Sequence, residues 1–97
     1  KRMSRIYISG PITGVENYRE IFSKKQLELE KLGNEVVNPS LLYLVMPSSS
    51  TWQEYMDICI PLLKLCDKIT MLKGYENSRG SCEELECALQ NGIMLYD

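Results

Sequence analysis

The sequence predicts an α/β fold: a three-layer sandwich in which helices cover a four-stranded parallel sheet in the order 2-1-3-4. Three observations predict it. Four short apolar runs alternate with three longer segments of helical periodicity. The connections between them are short. The first run, Ile6-Tyr7-Ile8, is continuously apolar, as a strand covered on both faces must be. Strands that alternate with helices pair in parallel through right-handed crossovers.

Each element follows from its residues. Arg5 to Ser9 reads as strand one. From about Glu16 to Leu32 the apolar residues Tyr18, Ile21, Phe22, Leu29 and Leu32 fall at helical spacing, with Gly33 as the residue after the C-cap. Glu35 to Asn38 is a brief second strand stopped by Pro39. Ser40 to Ser50 is a Ser- and Pro-rich loop whose apolar middle, Leu41 to Met46, is long enough for a helical turn. Thr51-x-x-Glu54 is a capping-box pattern that opens helix two through about Leu65, and Pro61 inside it predicts a kink or a break. Lys68 to Leu72 is strand three and Lys73 to Gly80 a polar loop. Ser81-x-x-Glu84 repeats the capping-box pattern and predicts the start of helix three, which runs to Gln90 and stops at Asn91-Gly92. Ile93 to Tyr96 is strand four.

Composition narrows the function. A chain of 97 residues amounts to one domain and buries only about 60–65% of its unfolded surface. Its net charge of -2 argues against a nucleic-acid groove or an anionic membrane surface, which would need an excess of Lys and Arg. No apolar run approaches the roughly 20 residues of a membrane span, and the start lacks a signal peptide's apolar core, so a cytoplasmic protein is expected. Cys59, Cys66, Cys82 and Cys87 form no C-x-x-C pair, and the chain has no histidine, so reduced thiols are expected and a metal site is not. The lack of histidine leaves acid–base and nucleophilic work to carboxylates, Tyr, Lys or Cys.

In an open parallel sheet the ligand sits at the carboxyl ends of the strands, where the strand order reverses. That point lies between strands one and three, beside "SGPITG" and "KGYENSRG". Gly10 and Gly14 allow backbone N–H groups to approach an anion or a sugar, or serve only a tight strand-to-helix turn. Neither the G-x-G-x-x-G fingerprint nor a phosphate loop ending in Gly-Lys-Ser is present, so no dinucleotide or other cofactor is implied. Glu84 carries two readings side by side. It completes a capping box with Ser81, or it faces the strand ends as an ionised carboxylate held still, as a nucleophile at a sugar carbon must be. Trp52 and Tyr55, three apart on helix two, offer a ring to stack on a nucleobase or simply pack a core. Cys59 and Cys66 share a helical face and read as buried; a catalytic Cys59 would need an activating base beside it.

These pieces occur in a fixed order over nearly the whole chain: "IYISGPITG" at Ile6 to Gly14, W-x-x-Y-M at Trp52 to Met56, CD-x-I-x-M-L-x-G from Cys66, and S-x-G-x-x-x-E at Ser78 to Glu84. The combination resembles the nucleoside 2-deoxyribosyltransferase-like superfamily, and more narrowly its small phage-associated branch. The resemblance implies a flavodoxin-like fold and cleavage of the N-glycosidic bond of a 2′-deoxynucleoside or its 5′-monophosphate. In that chemistry a glutamate attacks C1′, and water or another base resolves the glycosyl-enzyme. By position, Glu84 matches the nucleophile and Tyr7 matches a tyrosine beside the sugar and nucleophile. Ser78 and Gly80, with Gly10, Ile12 and Gly14, match the loops that hold the 5′ end of the nucleotide. Ser9, at the end of strand one, and Trp52, as the stacking ring, complete the substrate-binding set.

Two positions depart from the relatives. Their aspartate near the end of helix two, eight residues ahead of Asp67, is Cys59 here, and Asp57 lies two residues away, roughly 200° round the helix. The residue type that would contact the sugar and protonate the departing base is therefore replaced. Thr13 stands where phosphohydrolase relatives carry an arginine. Two functional classes follow: a deoxyribosyl transferase or N-glycoside hydrolase, or a nucleotide-binding or interaction protein that kept the fold without the chemistry. The resemblance also implies a homo-oligomer, a dimer or higher, with helix two around Leu62 as the candidate surface.

Overall fold

Alternation along the first strand decides the architecture, because successive side chains of a strand point to opposite faces of its sheet. A computed structural model describes residues 3–96. In β1 (Arg5–Ser9), Ile6 and Ile8 face α1 (Tyr18–Lys31), where they pack with Phe22, Leu29 and Leu72. Tyr7 faces the other way and packs with Cys59 and Leu63 of α2 (Trp52–Lys64), Ile69 of β3 (Lys68–Met71) and Ala88 of α3 (Arg79–Gln90). The sheet thus carries α1 on one face and α2 with α3 on the other, the predicted three layers.

The sheet order is β2-β1-β3-β4, with β2 at Glu35–Val37 and β4 at Met94–Leu95, and every pairing is parallel. Tyr7 lies opposite Val37 on one side and Ile69 on the other, and Ser9 opposite Met71. The carboxyl ends of β1 and β3 therefore finish together, at the point where the strand order reverses.

Local signals place most boundaries. Thr51 caps α2 with a complete capping box: its hydroxyl accepts from the Glu54 amide at 3.1 Å, and Glu54 accepts from the Thr51 amide at 2.7 Å. The apolar middle of the long loop forms a 3-10 turn, Pro39–Leu44, capped by Asn38, whose side chain accepts from the Ser40 amide.

The strands β2, β3 and β4 are one or two residues shorter than expected, and the helices differ in three ways. α1 begins at Tyr18 rather than Glu16, because the chain is still turning after Gly14, which sits at φ +78. α2 runs through Pro61 to Lys64 without the expected break. Pro61 lies on the exposed face, while Met56, Cys59 and Leu63 anchor the helix in the core on both sides of it. Burial of side chains of this size offsets the roughly 3 kcal/mol that an internal proline costs. α3 begins at Arg79, with Ser78 as its cap, so Ser81 is already inside the helix.

Candidate functional site

Two spacings bring the site together. Residues i and i+2 of a strand share a face, so Ser9 points the same way as Tyr7, toward α3. On α3 the buried residues are Ser81, Glu84 and Ala88, one face at spacings of three and four. Ala88 sits in the apolar cluster, and Glu84, one turn nearer the helix start, reaches the strand ends.

There Glu84 is only 6% exposed and is held by both β1 hydroxyls. Tyr7 Oη donates to its Oε2 at 2.5 Å, and Ser9 Oγ donates to Oε1 at 2.7 Å. Burial pushes the Glu84 carboxyl above its ordinary range, and the two hydroxyl donors partly oppose that rise. The Tyr7 phenol is pushed well up, by burial first and then by the Glu84 charge, so it stays protonated and remains a donor. Cys59 touches Tyr7, and burial lifts its thiol to about 11, which leaves it neutral and without nucleophilic character near pH 7.

The capping-box reading of Ser81 and Glu84 is corrected by this geometry. Ser78 Oγ accepts from the Ser81 amide at 3.2 Å and caps the helix. The Glu84 carboxylate goes instead to two hydroxyls from the opposite end of the chain, and α3 starts three residues earlier than the pattern suggests.

Above Glu84 lies a cleft of about 610 Å³. Gly10 to Thr13 and Asn77 to Ser81 form two of its sides. Ile8 of β1, Tyr18 and Phe22 of α1, Pro39, Ser40 and Tyr43 of the 3-10 turn, and Trp52, Tyr55, Met56 and Cys59 of α2 supply most of the rest, with Glu84 of α3 at the base. A mainly apolar, aromatic cleft that also presents hydroxyl, amide and charged side chains suits a small organic ligand.

Within this frame the predicted residues separate. Gly10, Ile12, Ser78, Gly80, Trp52, Cys59 and Glu84 line the cleft. Tyr7 and Ser9 lie outside its lining and hold Glu84 from behind. Gly14 is exposed and outside the lining, and its φ of +78 makes it a turn residue. Gly10 has a packing reason of its own: a Cβ there would meet Leu72 Cβ and Cδ1 at 2.7 Å. Leu62, the candidate association residue, is half-buried against the core, and the exposed apolar residues at that end are Ile58 and Leu65.

Three features escape a sequence reading. Tyr18 and Phe22 read as the core face of helix one, yet they also form a cleft wall, joined by Tyr43. Arg79 stacks on Trp52, its guanidinium carbon 4.0 Å from the ring centre, and lies 3.5 Å from Glu83. Ser81 lines the cleft. Only the four-residue spacing of Tyr18 and Phe22 and the apolar interruption of a polar loop could have signalled the first of these. Among the described residues, no group of three or more Cys, Asp or Glu side chains is placed to hold a metal ion, and no helix is long and apolar enough to cross a membrane.

Residues 4–97 match the family described as Domain of unknown function (DUF4406). The fold is similar to that of a solved 2-deoxyribosyltransferase from the psychrotolerant bacterium Bacillus psychrosaccharolyticus, with a TM-score of 0.75 at 20% identity over 95% of this chain and 69% of that one. No curated protein matches the sequence at a significant level.

Proposed function

The chain belongs to the DUF4406 family, and from that premise we propose that it cleaves the N-glycosidic bond of a 2′-deoxynucleoside or its 5′-monophosphate. One observation carries the reading: a buried carboxylate, Glu84, is fixed by two hydroxyls beneath an aromatic cleft at the strand ends. The likeness of fold to a 2-deoxyribosyltransferase supports it. Burial and two donors hold the carboxylate in one orientation, which is what attack on a sugar carbon requires.

In this reading an oxygen of Glu84 forms a bond to C1′ as the C1′–N bond breaks. The electron pair leaves on the base nitrogen, which takes a proton from water. A second water, or the nitrogen of another base, then attacks C1′ and returns the carboxylate. Tyr7 and Ser9 position Glu84. Trp52 and Tyr55 give the base a stacking surface, and Ser78 and Gly80 at the start of α3, with Gly10 and Ile12 opposite, hold the 5′ end.

A second reading rests on Cys59. A neutral thiol stands where the related enzymes carry an acid, which favours a nucleotide-binding protein without turnover. One experiment separates the two: common nucleosides and monophosphates are screened for free base and for thermal shift, with wild type and Glu84→Gln. The enzyme reading expects base release by wild type, its loss by several orders of magnitude in Glu84→Gln, and ligand affinity within about 1–2 kcal/mol of wild type. Thermal shifts without any base release would establish the second reading.

The proposal includes a cytoplasmic setting, which the four free thiols support, and a homo-oligomer joined through the exposed apolar residues Ile58 and Leu65. A monomer by light scattering at micromolar concentration would remove the oligomer.

A further inference from the structure

Ser81 is 2% exposed, and its Oγ is, among the described residues, the one buried side-chain nitrogen or oxygen without a hydrogen-bond partner. It lies in the wall of the cleft, not in the packed core. The neighbouring serine hydroxyls are engaged. Ser9 Oγ is bonded to Glu84, Ser40 Oγ to Asn38, and Ser78 Oγ accepts the Ser81 amide. Ser81 lies in the first turn of α3, where no preceding turn offers its hydroxyl a carbonyl, and a buried hydroxyl without a partner has one to account for.

Position says which partner. Ser81 is three residues before Glu84 on the same buried face of α3, about 4.5 Å along the axis toward the helix start. A pentose whose C1′ meets Glu84, and whose 5′ end meets Ser78 and Gly80, has its ring between them, beside Ser81. The aromatic side chains across the cleft leave the base no need of this hydroxyl.

We infer that the Ser81 hydroxyl is a hydrogen-bonding contact for the pentose of the bound nucleoside or nucleotide, an assignment that rests on the function proposed above. It separates the sugar from the free base as ligands: the base alone leaves Oγ unpaired, and the nucleoside satisfies it. Specificity of this kind comes from the cost of leaving a buried polar group without its partner.

The test uses titration calorimetry on the Glu84→Gln protein, in which no turnover consumes the ligand. The probes are a 2′-deoxynucleoside, its 5′-monophosphate and the free base. Ser81→Ala is expected to weaken both sugar-bearing ligands about tenfold, the loss of one hydrogen bond, with free-base affinity unchanged. The melting temperature of the ligand-free protein should stay level or rise, because an unpaired buried hydroxyl has been removed. Ser81→Cys keeps the size, lacks a strong donor, and should behave as Ser81→Ala.

Equal affinity of the sugar-bearing ligands for Glu84→Gln with and without Ser81→Ala would overturn this inference while leaving the proposed function intact. So would full affinity in Ser81→Cys, or a fall of several degrees in ligand-free melting with all three ligands weakened alike. Failure of every nucleoside and nucleotide to bind either protein would overturn the proposed function and this inference together.

Discussion

Tyr7→Phe tests how the candidate nucleophile is held, because it removes one oxygen and leaves the ring in place. The ring is fully buried among Cys59, Leu63 and Ile69, so the change is confined to the hydroxyl that donates to Glu84 Oε2 at 2.5 Å. A hydrogen bond to a charged group contributes about 1.5–3 kcal/mol, and the Ser9 bond at 2.7 Å remains. Burial holds the Glu84 carboxyl above its ordinary value of 4.5. A group raised on folding contributes stability that is fully present below its unfolded value and is lost as pH rises through its folded value. Without the Tyr7 donor the carboxyl rises further, so the loss extends to higher pH and deepens. The variant should melt close to wild type in acid, where Glu84 is protonated. Once Glu84 is ionised it should melt about 6–12 °C lower, at roughly 4 °C per kcal/mol for a domain of this size. Base release should show its loss at the opposite end of the pH axis. Only the ionised carboxylate attacks, so the variant is slower by roughly ten- to hundredfold on the acid limb and recovers toward wild type as pH rises. Melting curves and pH–rate profiles of the two proteins check both halves. A melting loss that is the same at every pH or greatest in acid, or a rate loss that is the same at every pH or greatest in alkali, would refute the coupling of Tyr7 to Glu84 ionisation.

Two further substitutions probe the surroundings. Cys59→Asp puts a carboxyl in the cleft lining beside Tyr7 and within the field of Glu84, which should keep it protonated toward neutral pH and able to serve the departing base. If the proposed chemistry holds, base release should rise at least about tenfold while melting falls by a few degrees; lower melting with no gain in rate would show that the position does not serve the leaving group. Gly10→Ala pushes a Cβ to 2.7 Å from Leu72 Cβ and Cδ1, where the ends of β1 and β3 meet. The crowding should cost about 1–3 kcal/mol, read as roughly 4–12 °C in melting temperature, and unchanged melting would show that the loop yields freely.

The strands and long helices are legible in the sequence because burial imposes its own period. Ile6-Tyr7-Ile8 is apolar without interruption because α1 covers two of these residues and α2 with α3 cover the third. What the sequence hides is competition between partners far apart in the chain. Ser78 and Ser81 both stand where a serine can open a helix, and Glu84 stands three residues after the second, so local rules favour the later start. Tyr7 and Ser9 lie 77 and 75 residues from Glu84, and no local pattern announces that they claim its carboxylate. With Glu84 taken by β1, a box at Ser81 has no second half, and Ser78 caps the helix instead. That places Ser81 inside the first turn, buried, facing the cleft and unpaired. A single long-range competition thus sets the start of α3, the aim of the candidate nucleophile and the hydroxyl left open beside it. Removing Tyr7 or Ser9 alone leaves the other hydroxyl on Glu84, and should therefore disturb Glu84 while leaving the Ser78 cap unchanged.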